Sequence, residues 1–134
     1  MDGGAQKRAF TDINDGISAM MKIIDNKDGV ASGQIYNIGN PTNNHSIREL
    51  ATMMLELAKK YPEYSTSAAQ VNIVETTSDA YYGKGYQDVQ NRVPKIDNTM
   101  KDLDWKPEYT MAQALEHVFE AYRDQVGAAR ALMD

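Results

Sequence analysis

The chain has 134 residues, 42% of them hydrophobic and 25% charged, which is ordinary globular composition and enough length to bury one core. Its net charge of −5 argues against nucleic acid as a partner, and the lack of Cys excludes disulfides and thiolate metal sites while fitting a reducing cytoplasm. No window approaches the ~20 apolar residues of a membrane-spanning helix, so residues 1–134 are expected to form a single cytoplasmic domain with no membrane insertion.

In chain order, Ala5-Gln-Lys-Arg-Ala-Phe10 reads as a short, basic, extended piece. Ile13, Ile17, Met20, Met21 and Ile24 then fall on one face at helical spacing. Thr11 or Asp12 is placed to cap that helix and Asp28-Gly29 to end it. Gln6, Lys7 and Arg8 thus precede a helix start, where unpaired N–H groups favour an anion. The plainer reading of the same residues is a solvated basic edge.

Gly33 to Ile38 reads as a buried or half-buried strand, closed by the turn signal Gly39-Asn-Pro-Thr-Asn-Asn44. Ser46 and Glu49 make a capping box, and Ile47, Leu50, Ala51, Met54, Leu57 and Ala58 trace the stripe of a second helix. Pro62 is expected to stop it. Tyr64 to Gln70 reads as a loop, and Val71 to Glu75 as a short strand.

The stretch Tyr81 to Arg92 packs Tyr81, Tyr82, Tyr86, Gly83, Gly85, Lys84 and Arg92 together without an amphipathic period. Such residues suit contact with a ligand: the glycines allow close approach, tyrosines offer a flat face with a hydroxyl, and Arg92 carries a planar fork for phosphate or carboxylate. An ordinary surface loop has the same composition. Beyond it, Pro94 fixes an extended passage and Asn98 is placed to cap a brief helix through Leu103, ending near Trp105-Lys-Pro107. Thr110 and Gln113 form another capping box, opening a helix with Leu115, Val118, Phe119, Tyr122 and Val126 on its apolar face. The expected fold is α/β: a small mixed sheet with about four helices.

Several chemistries lack their residues. His45 and His117 are far apart, with no ligand-spaced partner, so no metal site is expected. There is no Gly-x-Ser-x-Gly elbow, and Lys84-Gly85 is too bare for a P-loop.

The run Arg8-Ala-Phe-Thr-Asp-Ile-Asn-Asp15, the motif Tyr36-Asn-Ile-Gly39, the cap Ser46-Ile-Arg-Glu-Leu50 and the late Leu103-Asp-Trp-Lys-Pro107 resemble the C-terminal half of extended short-chain dehydrogenase/reductases acting on nucleotide sugars. Asp2-Gly-Gly-Ala-Gln-Lys-Arg8, Asn37-Ile-Gly-Asn-Pro-Thr42 and Tyr82 to Arg92 resemble, more narrowly, the UDP-glucuronic acid decarboxylases of polymyxin resistance, which serve lipid A modification. The resemblance implies a C-terminal substrate lobe without its Rossmann half. In that family NAD takes hydride from C4 of UDP-glucuronate, the β-keto acid loses its carboxylate, and a UDP-4-keto-pentose results. It further implies that Asp2, Gly3, Gly4, Ala5, Gln6, Lys7 and Arg8 line the UDP moiety, that Tyr86 binds substrate, and that Arg92 is the proton donor to the carbanion left by decarboxylation, an electrostatic partner for the developing enolate being the alternative role.

The chain departs from the family in lacking the Gly-x-x-Gly-x-x-Gly turn, and no Tyr is followed four residues later by Lys. The expectation is therefore a UDP-sugar-binding portion that is inactive alone, binds no NAD by itself, pairs with a missing nucleotide-binding half, and self-associates without it. Two other readings stay open: the substrate lobe of a different nucleotide-sugar epimerase or dehydratase, and a free-standing interaction module.

Overall fold

A computed structural model describes residues 2–76 and 89–131. The three strands among them are β1 (Lys7–Ala9), β2 (Asn44–Ser46) and β3 (Asn91–Arg92), in the sheet order β2-β1-β3. The pair β1 and β3 is parallel, with Lys7 opposite Asn91 and Arg8 opposite Arg92. On the other side of β1, the Phe10 N–H donates to Asn43 O at 3.0 Å and the Ile47 N–H to Gln6 O at 3.2 Å. That alternation is an antiparallel ladder in which His45 stands opposite Arg8, so the sheet is mixed as expected.

The helices are α1 (Ile13–Asp25), α2 (Ile47–Ala58), α3 (Pro62–Ala68), α4 (Asp97–Leu103), α5 (Met111–Tyr122) and α6 (Val126–Ala131). Their starts follow local chemistry. Asp12 caps α1 by accepting the Asn14 N–H at 2.8 Å. Ser46 and Glu49 close a capping box on α2, and Thr110 with Gln113 closes one on α5. The end of α1 lies earlier than the Asp28-Gly29 signal: Asn26 adopts φ 45° and stops the helix after Asp25.

The described residues divide into two compact units, one of residues 2–6, 46–76 and 115–131, the other of residues 7–45 and 89–114. In the second unit the core is Ala19, Ile96, Leu103 and Trp105, with Ile23, Ala31, Tyr36 and Ile38 packed against it. Asp15 is buried at 2% exposure and accepts the backbone N–H groups of Glu108 at 2.9 Å and Tyr109 at 3.2 Å. The Trp105 indole N–H donates to Ser18 Oγ at 2.9 Å. So α1 meets its core through Asp15, Ala19 and Ile23, spaced by four residues.

The apolar stripe of α1 lies elsewhere. Ile13, Ile17, Met20, Met21 and Ile24 are all exposed, Ile24 at 71%. The helix is apolar on more of its circumference than this unit covers.

Two expected strands do not form ladders. Gly33 closes a turn at φ 69°, and the segment of residues 34–38 has no strand beside it among the described residues, with Ile35 88% exposed. Side chains hold it instead: Thr99 Oγ1 donates to Asn37 O at 2.7 Å, Asn37 Nδ2 to Lys95 O at 3.1 Å, and Tyr36 OH to Val30 O at 3.0 Å. Next to it, Gly39 leaves room for Pro94, since a Cβ there would sit 2.6 Å from Pro94 Cγ. That close approach seats the chain just after β3. Val71 to Glu75 is likewise without a ladder and exposed. β-Propensity is realised only where a neighbouring strand completes the hydrogen bonds, and here none does.

In the first unit, Pro62 begins a helix where a stop and then a loop were expected. Proline at the first helical position loses no intrahelical bond, so it opens α3 rather than merely closing α2. Tyr61 stacks on Phe119 at 5.7 Å, Tyr64 meets Phe119 edge-on at 5.1 Å, and Tyr64 OH donates to Phe119 O at 3.0 Å. Burial pushes both tyrosine hydroxyls above their ordinary pKa.

Arg123 joins α3 to α5 by donating from Nε to Glu63 Oε1 at 2.7 Å. That hydrogen bond, with a further one to backbone, holds the Glu63 carboxyl below the usual carboxylate range. A carboxylate with a depressed pKa in the folded state stabilises the fold above its unfolded value of about 4.3 and ceases to do so as pH falls through the folded value. Glu63→Gln is therefore expected to flatten the loss of stability below about pH 4.3, measured as the unfolding midpoint against pH. An unchanged acid limb would contradict this.

Candidate functional site

The residues that resemble the UDP-lining stretch occupy the first turn and strand of the chain. Asp2–Gly4 forms a 3₁₀ turn in which Gly3 has φ 65° and Gly4 φ 75°. A side chain at Gly4 would be strained by that φ, and its Cβ would meet the Arg48 backbone nitrogen at 3.1 Å. Ala5 is exposed. Gln6 is 6% exposed, and its Oε1 has no hydrogen-bond partner among the described residues. A buried amide oxygen without a donor costs free energy unless something supplies one.

Lys7 and Arg8 then enter β1, and the strand separates them. Successive side chains point to opposite faces, so Lys7 lies with Asn91 and Asn44 on one face, where Asn44 Nδ2 donates to Asn91 Oδ1 at 3.1 Å. Arg8 lies with Arg92 on the other. Adjacent strands are about 4.8 Å apart, so these arginines, distant in sequence, stand side by side. Arg8 leans toward β3, its Nη1 donating to Val89 O and to Lys7 O, each at 2.7 Å. His45, opposite Arg8 on β2, extends the row on the same face.

Like charges on neighbouring strands repel, and the sheet gains nothing from them unaided. An anion between two guanidinium groups reverses that sign, since a guanidinium fork suits phosphate or carboxylate oxygens. What the arrangement does chemically is concentrate positive charge on one sheet face within a chain of net negative charge.

Tyr86, the remaining residue singled out from the sequence, lies outside the described residues, as do the glycines around it. His45 was passed over in the sequence because it has no histidine or carboxylate at ligand spacing; only the strand pairing reveals its neighbours. A cavity of about 580 Å³ lies elsewhere in the second unit, bordered by Asp15, Ser18, Lys22, Trp105 and Tyr109. Three of its polar groups are already engaged: Asp15 and Ser18 by the bonds given above, and Lys22 Nζ by Asp104 O at 2.7 Å. Among the described residues no group of His, Asp and Glu is arranged to hold a metal ion, and no helix is long and apolar enough to cross a membrane.

No protein-family model matches the chain. Among solved structures, the crystal structure of PbgP3 protein from Burkholderia pseudomallei is similar to it, with 58% sequence identity and a TM-score of 0.83 over 98% of this chain. The chain spans 35% of the length of that relative. It is thus related, along nearly all its residues, to about a third of the PbgP3 protein, in keeping with the polymyxin-resistance family that its sequence resembles.

Proposed function

We propose that the chain is the UDP-sugar-binding lobe of an extended short-chain dehydrogenase/reductase, the part of a cytoplasmic UDP-glucuronate decarboxylase that holds the nucleotide sugar. The observation that carries this reading is the register of β1 against β3, which sets Arg8 beside Arg92. The first belongs to the stretch resembling the UDP site, the second to the block resembling the decarboxylase. Arg8 and Arg92 offer the positive charge a diphosphate requires. Arg92 acts on the reaction as an electrostatic partner. A guanidinium with a pKa above ~12 is a poor acid, but it stabilises the enolate left when the carboxylate departs.

The residues present do not fit NAD. The chain has neither the glycine-rich turn that cradles a dinucleotide nor a Tyr-x-x-x-Lys pair, and the parallel strand pair among its described residues is only two residues long. Hydride chemistry therefore belongs to a nucleotide-binding half supplied by other polypeptide. UDP and UDP-glucuronate titrated calorimetrically into the isolated chain test this reading, alongside an assay for NADH. Binding without NADH is the expected result; no binding of either nucleotide, or NADH formed by this chain alone, contradicts it.

The exposed stripe of α1 suits the same reading, since a lobe that works against a second half keeps an apolar face for it. In its absence, self-association is the expected outcome, seen by light scattering as a mass that rises with concentration. Met20→Glu with Ile24→Glu should return the chain to monomer while the unfolding midpoint scarcely moves, both side chains being exposed already. A wild-type chain that stays monomeric at high concentration would count against it.

A further inference from the structure

His45 is the only residue of β2 that shares a sheet face with Arg8 and Arg92. Because β1 lies between its two neighbours, Arg8 is the middle of a row that ends in His45 on one side and Arg92 on the other. The ladder that sets His45 opposite Arg8 is held on both sides of the pair, by the Phe10 N–H to Asn43 O and the Ile47 N–H to Gln6 O. A side-chain period of two then leaves His45 no other face. Adjacent strands lie about 4.8 Å apart, so the row spans roughly 10 Å. All three residues belong to the second unit.

The three strands put no carboxylate on this face. Lys7, Ala9, Asn44, Ser46 and Asn91 take the other one. The charged groups facing His45 from β1 and β3 are thus Arg8 and Arg92, and in the helix that follows it Glu49 is turned to the Ser46 N–H at 2.6 Å. Among the described residues, none hydrogen-bonds or ion-pairs with the side chains of His45 and Arg92. His45 is also half-buried, so fixing its ring on a ligand loses less side-chain entropy than fixing an exposed one. An imidazole gains or loses its charge between about pH 5 and 8. An anion on the row attracts the charged form more strongly than the neutral one, so ligand and proton bind together.

We propose that His45 is a third binding residue of the nucleotide-sugar site, a donor to the anion that couples its affinity to pH. The inference rests on the proposed UDP-sugar reading and extends it from two residues to three. Donors spread along roughly 10 Å suit an anion whose charge lies at several points, as the two phosphates and the uronate carboxylate of the proposed substrate do.

UDP-glucuronate is the probe for its test. Each of its phosphates is bonded on two sides and its carboxyl is ionised, so its own charge is constant above about pH 5, whereas the terminal phosphate of UDP takes up a proton near about pH 6. Titrated calorimetrically, it should bind the wild-type chain roughly fivefold tighter at about pH 5.5 than at about pH 7.5. The heat should vary with the ionisation enthalpy of the buffer, the sign of proton uptake. In His45→Gln, which keeps an N–H donor without a charge, the pH dependence should vanish. His117→Gln, which alters the other of the two histidines, should keep the wild-type profile. The thermal midpoint of each chain at each pH confirms that folded protein is compared. A wild-type affinity that is flat over this range, or a pH dependence that persists in His45→Gln, would overturn the proposal while leaving the UDP-sugar reading intact. A wild-type chain that binds UDP-glucuronate at no pH would overturn that reading, and this one with it.

Discussion

Replacing Arg8 and Arg92 together by alanine is expected to weaken UDP binding by roughly a hundredfold, and either replacement alone by roughly tenfold. The estimate follows from charge-assisted hydrogen bonds to phosphate, which are about twice as strong as neutral ones and use both arms of the guanidinium fork. The free chain should respond in the opposite sense. Arg8 and Arg92 are neighbours across β1 and β3, and relieving their repulsion in Arg92→Ala should raise stability by about 0.5 kcal/mol. A residue kept for folding loses stability when removed; a residue kept for an anion loses affinity. Calorimetric titration and urea unfolding of the same three variants separate these outcomes, and an Arg8→Ala/Arg92→Ala chain that binds UDP like wild type would refute the assignment.

The largest effect on stability is expected from Asp15→Ala, about 3 kcal/mol. Its carboxylate is buried and accepts two backbone N–H groups, those of Glu108 and Tyr109, at the point where the chain passes from Trp105 toward α5. Alanine leaves both donors buried without an acceptor, and each such loss costs about 1–3 kcal/mol. Asp15→Asn retains the shape but presents one acceptor and one donor to two N–H groups, so it should be destabilised as well, by a smaller amount. Urea unfolding measures both. A loss under about 1 kcal/mol in Asp15→Ala would show that water reaches those amides.

Much of the fold could be read from the sequence where the signal is local. Asp12, Ser46 with Glu49, and Thr110 with Gln113 each satisfy N–H groups within three residues of themselves, so these three helix starts were legible, whereas Asn98 lies inside α4, which starts at Asp97 after Ile96 without a side-chain cap. Signals that need a partner were not. The run Gly33 to Ile38 and the β-branched residues Val71, Ile73 and Val74 mark segments fit for a sheet, but no neighbouring strand lies beside them among the described residues. The periodicity of Ile13 to Ile24 shows which side of α1 is apolar and says nothing of what covers it. Asp15 carries no local signal of its role, because the amides it serves lie more than ninety positions away.

The candidate site divides along the same line. Residue types marked Arg8 and Arg92 as candidate anion ligands, since an arginine fork suits phosphate. Their adjacency arises from a parallel pairing of two very short strands, which leaves no periodic trace in the sequence. Lys7 shows the cost of reading a basic run as one patch: a strand alternates its faces, so Lys7 and Arg8 turn opposite ways.

The account is tested most directly by nuclear magnetic resonance of the arginine side chains during a UDP titration. If the face shared by Arg8 and Arg92 holds the diphosphate, the Nε–H signals of both should shift together and saturate at one common dissociation constant, with Arg123 unmoved as an internal control. UDP binding that leaves the Arg8 and Arg92 signals where they were, or shifts them with separate dissociation constants, would contradict it.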